Sequence, residues 1–270
     1  MIFNYVHWNP RPEIFDLGFI APRWYGLLWA LAFVAGYYIM QKIFKKEDIK
    51  IEVLDSLTIY MIVATIVGAR LGHCLFYDWS YYSQHPAEIL FIWQGGLASH
   101  GAAIGIITGL FLFCRKYKRN YLWVLDRIVI VVALGGGFIR LGNLLNSEIV
   151  GKPTDVSWAF IFERVDNLPR HPTQIYEALF CFLLFAFLYW FYQRNIRHLK
   201  NGVIFAIFLI ALFSFRFFVE FYKDVQVAFE QNMELNMGQW LSIPFVVGGI
   251  ILLLNRLNAR PVDYLAKTAP

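Results

Sequence analysis

Charge is what this chain has least of. Asp, Glu, Lys and Arg together make up 16% of the 270 residues, against about a quarter in a soluble domain. With 59% hydrophobic and 19% aromatic residues, the chain reads as a polytopic membrane protein rather than a soluble one. It is expected to form one membrane domain over residues 1–270. Cysteine is scarce too. Cys74, Cys114 and Cys181 are an odd, scattered set, each inside an apolar segment, which argues against a disulfide framework and against a metal site. No metal and no cofactor is expected. There is no internal repeat and no matched pair of broken apolar segments, which counts against a secondary transporter. Ser99 has no Gly-x-Ser-x-Gly elbow around it, and cysteines in apolar surroundings are poor nucleophiles, so an intramembrane hydrolase lacks its nucleophile–base pair. Residues 1–20 carry Pro10, Pro12, Glu13 and Asp16 in place of an apolar run, so no cleavable signal peptide is expected ahead of the first span.

What is present is long apolar runs. A span needs about 20 mostly apolar residues, and seven stretches qualify: 24–44, 57–77, 97–114, 122–144, 174–192, 203–222 and 238–257. The fold expected is therefore all-α with seven transmembrane helices. The net charge of +5 is no nucleic-acid signal, because the basic residues sit in short loops between these runs. Lys42, Lys45, Lys46 and Lys50 follow the first run. Arg115, Lys116, Lys118 and Arg119 follow the third, Arg194, Arg197 and Lys200 the fifth, and Arg256, Arg260 and Lys267 the seventh. Alternate connections thus hold most of the cations, and the positive-inside rule puts them in the cytoplasm, with the N-terminus outside and the C-terminus inside. Trp24, Trp29, Trp79, Trp93 and Trp158 then cluster near the outer interface, where amphipathic rings settle.

That orientation gathers the polar residues. Tyr25 opens the first run from outside, Arg70 lies near the outer end of the second, and His100 opens the third after Gly95-Gly96. Arg140 comes 16 residues after Val124 in the fourth run, a rise of about 24 Å toward the outside. Gln174, Tyr176 and Glu177 begin the fifth, Arg216 and Glu220 end the sixth, and Gln239 begins the seventh. A purely structural set would scatter over both leaflets, whereas intramembrane charge concentrated in one layer marks a functional site.

The densest part is GGGFIRLGNLLNSEIVGKPT, residues 135–154. Continued helical spacing would put Arg140, Asn143 and Ser147 on one face, a donor set suited to phosphate. Arg70, between Gly68 and Gly72, is open to an ion pair with Glu220 or Glu148 or to a phosphate contact. The small residues beside it permit close helix packing. His100 has the side chain whose ordinary pKa suits proton transfer near neutrality. Arg216, Glu220 and Lys223 share a helix face by their spacing, so Glu220 can orient Arg216. The loop 145–173 is the longest connection and can form a small cap outside the membrane. In it Trp158, Phe160 and Phe162 alternate with smaller residues, as in a short strand or a lipid-facing edge. Thr173 is the expected N-cap of the helix that follows, and His171 is read as structural.

These blocks carry a resemblance. Gly137-x-x-Arg140-Leu141-Gly142-Asn143-x-x-Asn146-x-Glu148-x-x-Gly151 is similar to the signature of the bacterial prolipoprotein diacylglyceryl transferases. The likeness continues through Trp24-Tyr25-Gly26, Gly68-x-Arg70-x-Gly72, Gly95-Gly96-x-x-Ser99-His100-Gly101, Arg170-His171-Pro172-x-Gln174-x-Tyr176-Glu177, Phe215-Arg216-x-x-x-Glu220 and Met237-Gly238-Gln239. Lys223 and Lys152 stand where the family commonly has arginine, and lysine does not supply arginine's bidentate fork.

The resemblance implies a seven-helix enzyme of the bacterial cytoplasmic (inner) membrane with its site toward the outer leaflet. It implies transfer of the diacylglyceryl group of phosphatidylglycerol to the acceptor cysteine of a prolipoprotein signal peptide, with release of glycerol phosphate. Arg140 and Arg216 are then expected on the phosphate and His100 as the base. Tyr25, Asn143, Asn146, Glu148 and Glu220 are expected around the headgroup with Arg70, and Gly151 in a tight turn beneath the acceptor peptide. The lipid bilayer, phosphatidylglycerol and such signal peptides are the expected partners, and nucleic acid is not among them.

Overall fold

The structure, a computed structural model, describes residues 5–18, 21–92, 96, 98–225 and 233–258. Each of the seven apolar runs holds a helix: α1 Trp24–Lys46, α2 Ile51–Phe76, α4 Ser99–Lys116, α5 Tyr121–Leu145, α6 Thr173–Asn195, α7 Val203–Val219 and α8 Met237–Leu257. A single-turn helix, α3, Trp79–Tyr82, and a 3-10 turn, Pro86–Leu90, lie between α2 and α4. Among the described residues, five helices, α1, α2, α5, α6 and α8, are long and apolar enough to cross a membrane, and α7 is a shorter apolar helix. Many of their large apolar side chains face outward, among them Val34, Ile59, Val63, Leu183 and Trp190. In water such a surface would be a liability, while against lipid it is the required one. Trp93, Gln94, Gly95 and Leu97, part of the expected turn into α4, lie outside the described residues, as do Arg260 and Lys267.

The described residues form two compact units, divided within α1 and α5. The unit Met40–Val124 is built on the crossing of α2 and α4. A Cβ added at Gly68 would stand 2.4 Å from the Gly101 carbonyl oxygen, and one at Gly72 would stand 2.6 Å from Gly101 Cα. Only glycine lets the two backbones touch, which is how small residues bring membrane helices together. At the base of this unit, Trp123 Nε1 donates to Glu47 at 3.0 Å and its ring tilts against Phe44.

The second unit holds the rest of the described chain. Here α5, α6, α7 and α8 pack through ring contacts, with Phe180 stacked on Phe215 and Phe213 on Phe245. Asp126, fully buried in α5, accepts hydrogen bonds from the backbone N–H groups of Gly202 (2.6 Å) and Phe205 (2.8 Å). It thereby satisfies donors at the start of α7 that no helical carbonyl can reach. Arg127 lies beside it, 5.7 Å from the centre of the Tyr192 ring.

The all-α expectation requires one addition. Among the described residues, three short strands form a sheet in the order β1–β2–β3: β1 Val6–Trp8, β2 Phe160–Phe162 and β3 Pro169–Arg170. β1 runs parallel to β2 with Val6 opposite Phe160, and β2 runs antiparallel to β3. Of the alternation at Trp158, Phe160 and Phe162, residues Phe160–Phe162 are a strand and Trp158 lies in the turn before it, and the long loop gains its order by pairing with the N-terminal segment. Trp8 Nε1 ties that sheet to the end of α5 by donating to the Leu144 carbonyl at 2.8 Å. The sixth run ends earlier than its apolar length suggests. α7 stops at Val219 because the chain beyond it pairs with the loop: Lys152 N donates to Tyr222 O at 2.8 Å, and Gly151 and Lys223 form a β-bridge.

Candidate active site

The segment after α5 turns back sharply. Ser147 and Ile149 adopt left-handed backbone angles, with φ of 55° and 56°, so α5 ends at Leu145 and Ser147 is not one more helical turn above Asn143. The shared face of Arg140 and Asn143 is real, and the expected extension to Ser147 is not. Continuing a helix there would have pushed Glu148 and Gly151 along the axis. The reversal brings Gly151 against β3 and the exit of α7 instead. Gly151 N donates to His171 O at 3.0 Å, and a Cβ at this position would stand 2.4 Å from that oxygen and 2.9 Å from Tyr222 O. Gly151 is therefore demanded by close backbone approach, in keeping with the tight turn expected of it.

The turn is fastened from two sides. The buried Gln174 donates through Nε2 to the Glu148 carbonyl at 2.7 Å, and Thr173 Oγ1 donates to the Ile149 carbonyl at 3.1 Å. Thr173 is thus the first helical residue of α6 and does not cap it, because Pro172 occupies the cap position. Arg170 is buried and donates to the Gly151 carbonyl at 3.0 Å and to Asp224 Oδ2 at 2.7 Å, and its Nε reaches Asp166 at 3.1 Å. This guanidinium holds the Asp166 carboxyl below the usual carboxylate range. His171 Nδ1 lies 3.2 Å from the Tyr176 hydroxyl, which accepts from Trp158 Nε1 at 2.8 Å. Burial lowers the His171 pKa, and its ring packs edge-on against Tyr176 and Tyr222, a structural setting as its sequence context suggested.

Above this support, five charged side chains from α5, α6 and the end of α7 form a continuous chain. Arg140 Nη2 lies 3.1 Å from Glu177 Oε1. The same oxygen is 3.0 Å from Lys223 Nζ, and Lys223 Nζ is 3.1 Å from Glu220 Oε1. Arg216 Nε completes the series at 3.9 Å from Glu220 Oε1. Lys223, Glu177 and Glu220 are buried, while the Arg216 side chain is 43% exposed. Arg140 Nη1 also donates to Asn143 Oδ1 at 3.4 Å. Asn143 and Asn146 in turn donate to the two oxygens of Glu148, at 3.2 and 3.1 Å. Tyr25 packs against α5 at Gly142, where a Cβ would come 2.6 Å from its ring. Behind Glu220, Asn236 Nδ2 donates to Oε2 at 3.0 Å and the Asn236–Gln239 capping box starts α8.

Tyr25, Arg140, Asn143, Asn146, Glu148, Gly151, Arg216 and Glu220 all lie in one unit. Two members were not singled out as site residues. Glu177 is the ion-pair partner of Arg140, and Lys223 is the cation at the centre. Lys223 carried a readable signal, three residues after Glu220 and seven after Arg216 on one face. Glu177 carried its place near the start of the fifth run and at the end of the Arg170–Glu177 block of the resemblance.

The site also has unfilled capacity. Among the described residues, buried side-chain atoms without a hydrogen-bond partner include Asn146 Oδ1, Ser147 Oγ, Gln174 Oε1, Glu177 Oε2 and Arg216 Nε. Buried polar groups are ordinarily paired, so their concentration on these segments is the pattern of a site that receives a polar ligand.

Arg70 and His100 belong to the Met40–Val124 unit. Arg70 is buried, with its guanidinium 5.0 Å from the centre of the Tyr82 ring. It donates to the carbonyls of Ile89 (2.9 Å), Glu88 (2.6 Å) and Gly96 (3.3 Å). These bonds tie the loop before α4 to α2. Ala98 N donates to the carbonyl of Ala69 at 2.9 Å, which fixes the start of α4 at Arg70's neighbour. His100 sits exposed in the first turn of α4, on a cavity of about 400 Å³ lined with Gly72, Phe76, Tyr77, Ala98, Gly101 and Ile104.

The fold and the charge cluster define a class, a multi-pass helical membrane protein with a continuous chain of largely buried charges. The family model for prolipoprotein diacylglyceryl transferase matches residues 12–255. A phosphatidylglycerol–prolipoprotein diacylglyceryl transferase of Chloroherpeton thalassium is 48% identical, over 96% of this chain and 97% of its own. The protein of that name from Bacteroides fragilis is 48% identical over 92% and 94%, and that of Porphyromonas gingivalis 44% over 94% and 95%. The chain belongs to the prolipoprotein diacylglyceryl transferase family.

Proposed function

We propose that this protein is a membrane transferase that moves the diacylglyceryl group of phosphatidylglycerol onto a prolipoprotein, the first step of lipoprotein maturation. Family membership supports the activity. The observation that carries the site assignment is the chain Arg140–Glu177–Lys223–Glu220–Arg216, which ties the two proposed phosphate-binding arginines into one preorganised unit.

The acceptor is the cysteine thiol of the signal peptide. His100 takes the thiol proton, and the thiolate is the nucleophile. Sulfur attacks the glyceryl carbon that bears the phosphate ester. The C–S bond forms as that C–O bond breaks, and the electron pair leaves on the phosphate oxygen as glycerol phosphate. The sum needs no further reactant. Arg140 and Arg216 bind the phosphate and offset the charge that grows on the leaving oxygen. Arg140 enters the reaction already oriented by Glu177 and Asn143, and Arg216 by Glu220. Tyr25, Asn143, Asn146 and Glu148 border the headgroup. Gly151 keeps the turn low beneath the acceptor peptide. Arg70 acts by holding the segment that leads to His100. The helices of all seven apolar runs, the shorter α7 included, span a bacterial cytoplasmic membrane, N-terminus outside, with the site toward the outer leaflet and the lipid arriving sideways between helices.

The test is release of glycerol phosphate by purified protein given phosphatidylglycerol and a signal peptide with a cysteine after its apolar run, beside the same peptide with Cys→Ser. Release with the first peptide alone is the expected result. Release with both would make the protein a lipid hydrolase, and silence with both from folded protein would overturn the transferase reading.

A further inference from the structure

Glu177 is held by one oxygen only. Its Oε1 receives both Arg140 Nη2 and Lys223 Nζ, at 3.1 and 3.0 Å. Its Oε2 is buried and has no hydrogen-bond partner, although the residue is 5% exposed. A buried carboxylate oxygen with no donor costs free energy that a fold without a purpose for it would not keep. Both cations nearest to it already serve the other oxygen, so the donor has to come from outside the cluster. One turn earlier on the same face of α6, Gln174 Oε1 is a second buried acceptor without a donor, while its Nε2 is spent on the Glu148 carbonyl. Two vacant acceptors at i and i+3 on one helix face, next to the arginine assigned to phosphate, suit a ligand with hydroxyl donors close to its phosphate.

We propose that Glu177 Oε2 reads the headgroup of the lipid donor by accepting a hydrogen bond from a hydroxyl of the headgroup glycerol, so that Glu177 sets headgroup specificity besides orienting Arg140. This rests on the transferase reading above. A headgroup of the same length without hydroxyls leaves the acceptor empty. Sites built to bond a substrate hydroxyl reject analogues that lack it much more strongly than apolar pockets reject a size change. A hydrogen bond to a charged group implies discrimination of at least about tenfold.

The experiment compares phosphatidylglycerol with phosphatidylpropanol of the same acyl chains, each with the cysteine peptide, and follows the thioether product by mass spectrometry so that both lipids share one readout. Wild-type protein should prefer phosphatidylglycerol by about tenfold or more in kcat/KM. In Glu177→Gln the amide oxygen is drawn to Arg140 and Lys223, and the amide nitrogen, a donor, takes the place of Oε2. The preference should then fall more than about threefold. A merely structural role for Glu177 would slow both lipids alike and leave the ratio unchanged, which would overturn the proposal, as would a wild-type ratio near one. If the variant turns over neither lipid, native mass spectrometry of folded variant loaded from an equimolar mixture reads the same ratio by binding, under the same criterion. Absence of product from wild-type protein with phosphatidylglycerol would instead sink the transferase reading itself, so the two failures are distinct.

Discussion

Lys223→Met removes the centre of the charge chain and replaces it with a side chain of similar length. Lys223 Nζ is 3.0 Å from one carboxylate oxygen and 3.1 Å from another, with its side chain 3% exposed. Each contact is worth about 5 kcal/mol at an effective dielectric constant of about 20, and desolvation of the buried ions takes back several kcal/mol apiece. The two carboxylate oxygens, which share this one nitrogen, are at most about 6 Å apart by those distances, and without the lysine they repel by about 3 kcal/mol at the same dielectric. Each keeps an arginine, Glu177 through Arg140 and Glu220 through Arg216, which limits the damage. The expected loss is about 3–5 kcal/mol, the range for removing one partner of a buried pair. Thermal unfolding in detergent micelles, followed by circular dichroism, should show a clear drop in midpoint, together with slower turnover from a misplaced Arg140. Adding Glu220→Gln should recover part of the midpoint by removing the repulsion. A Lys223→Met protein with an unchanged midpoint and wild-type turnover would refute the reasoning that this lysine binds the chain together.

Other outcomes follow from the same structure. Arg140→Ala should abolish most turnover in a folded protein, and His100→Gln should slow thioether formation while leaving lipid binding intact; both are read in the glycerol phosphate assay. Gly151→Ala should reduce both activity and the unfolding midpoint, because its Cβ would stand 2.4 Å from a backbone oxygen that the loop cannot move cheaply. Asp126→Ala removes the acceptor of two N–H groups at the start of α7. Loss of such a cap costs about 1–2 kcal/mol, and more here because Arg127 loses its carboxylate neighbour; chemical denaturation measures it. The depressed pKa of Asp166 is caused chiefly by its hydrogen bond from Arg170. The linked stability is present above the ordinary carboxylate range and is lost as pH falls through the lowered folded-state pKa. Asp166→Asn should therefore flatten the acid limb of the stability–pH curve, seen as unfolding midpoints from about pH 5 downward.

Much of the helical frame was legible in the chain itself. Apolar runs of span length leave a backbone little choice but helix in lipid, and a helix occupies every run that the reading marked. The local pairs Arg140 with Asn143 and Arg216 with Glu220 were legible too, because i, i+3 and i+4 spacing is local geometry. Local spacing stops being informative where the backbone leaves the helix. Ser147 was placed on the face of Asn143, but two left-handed residues after Leu145 reverse the chain, and neither Ser nor Ile announces that angle. Thr173 looked like a cap and turned out to brace the Ile149 carbonyl, since a hydroxyl goes to whichever partner the fold brings within reach. The strand β2 needed the N-terminal segment, more than 150 residues away in the chain, to become a strand at all.

Composition and spacing by themselves determined that this chain lives in a membrane, how its helices are cut and which arginines and amides lie on which faces, because those properties depend on neighbours within a turn or two. Partnership was decided only by tertiary structure. It selected Glu177 for Arg140, set Lys223 between two carboxylates, committed Arg70 to three carbonyls and left Glu177 Oε2 without a donor. Apart from Lys223 with Glu220, these contacts join residues about twenty or more positions apart, and sequence spacing holds no information about distance across that range.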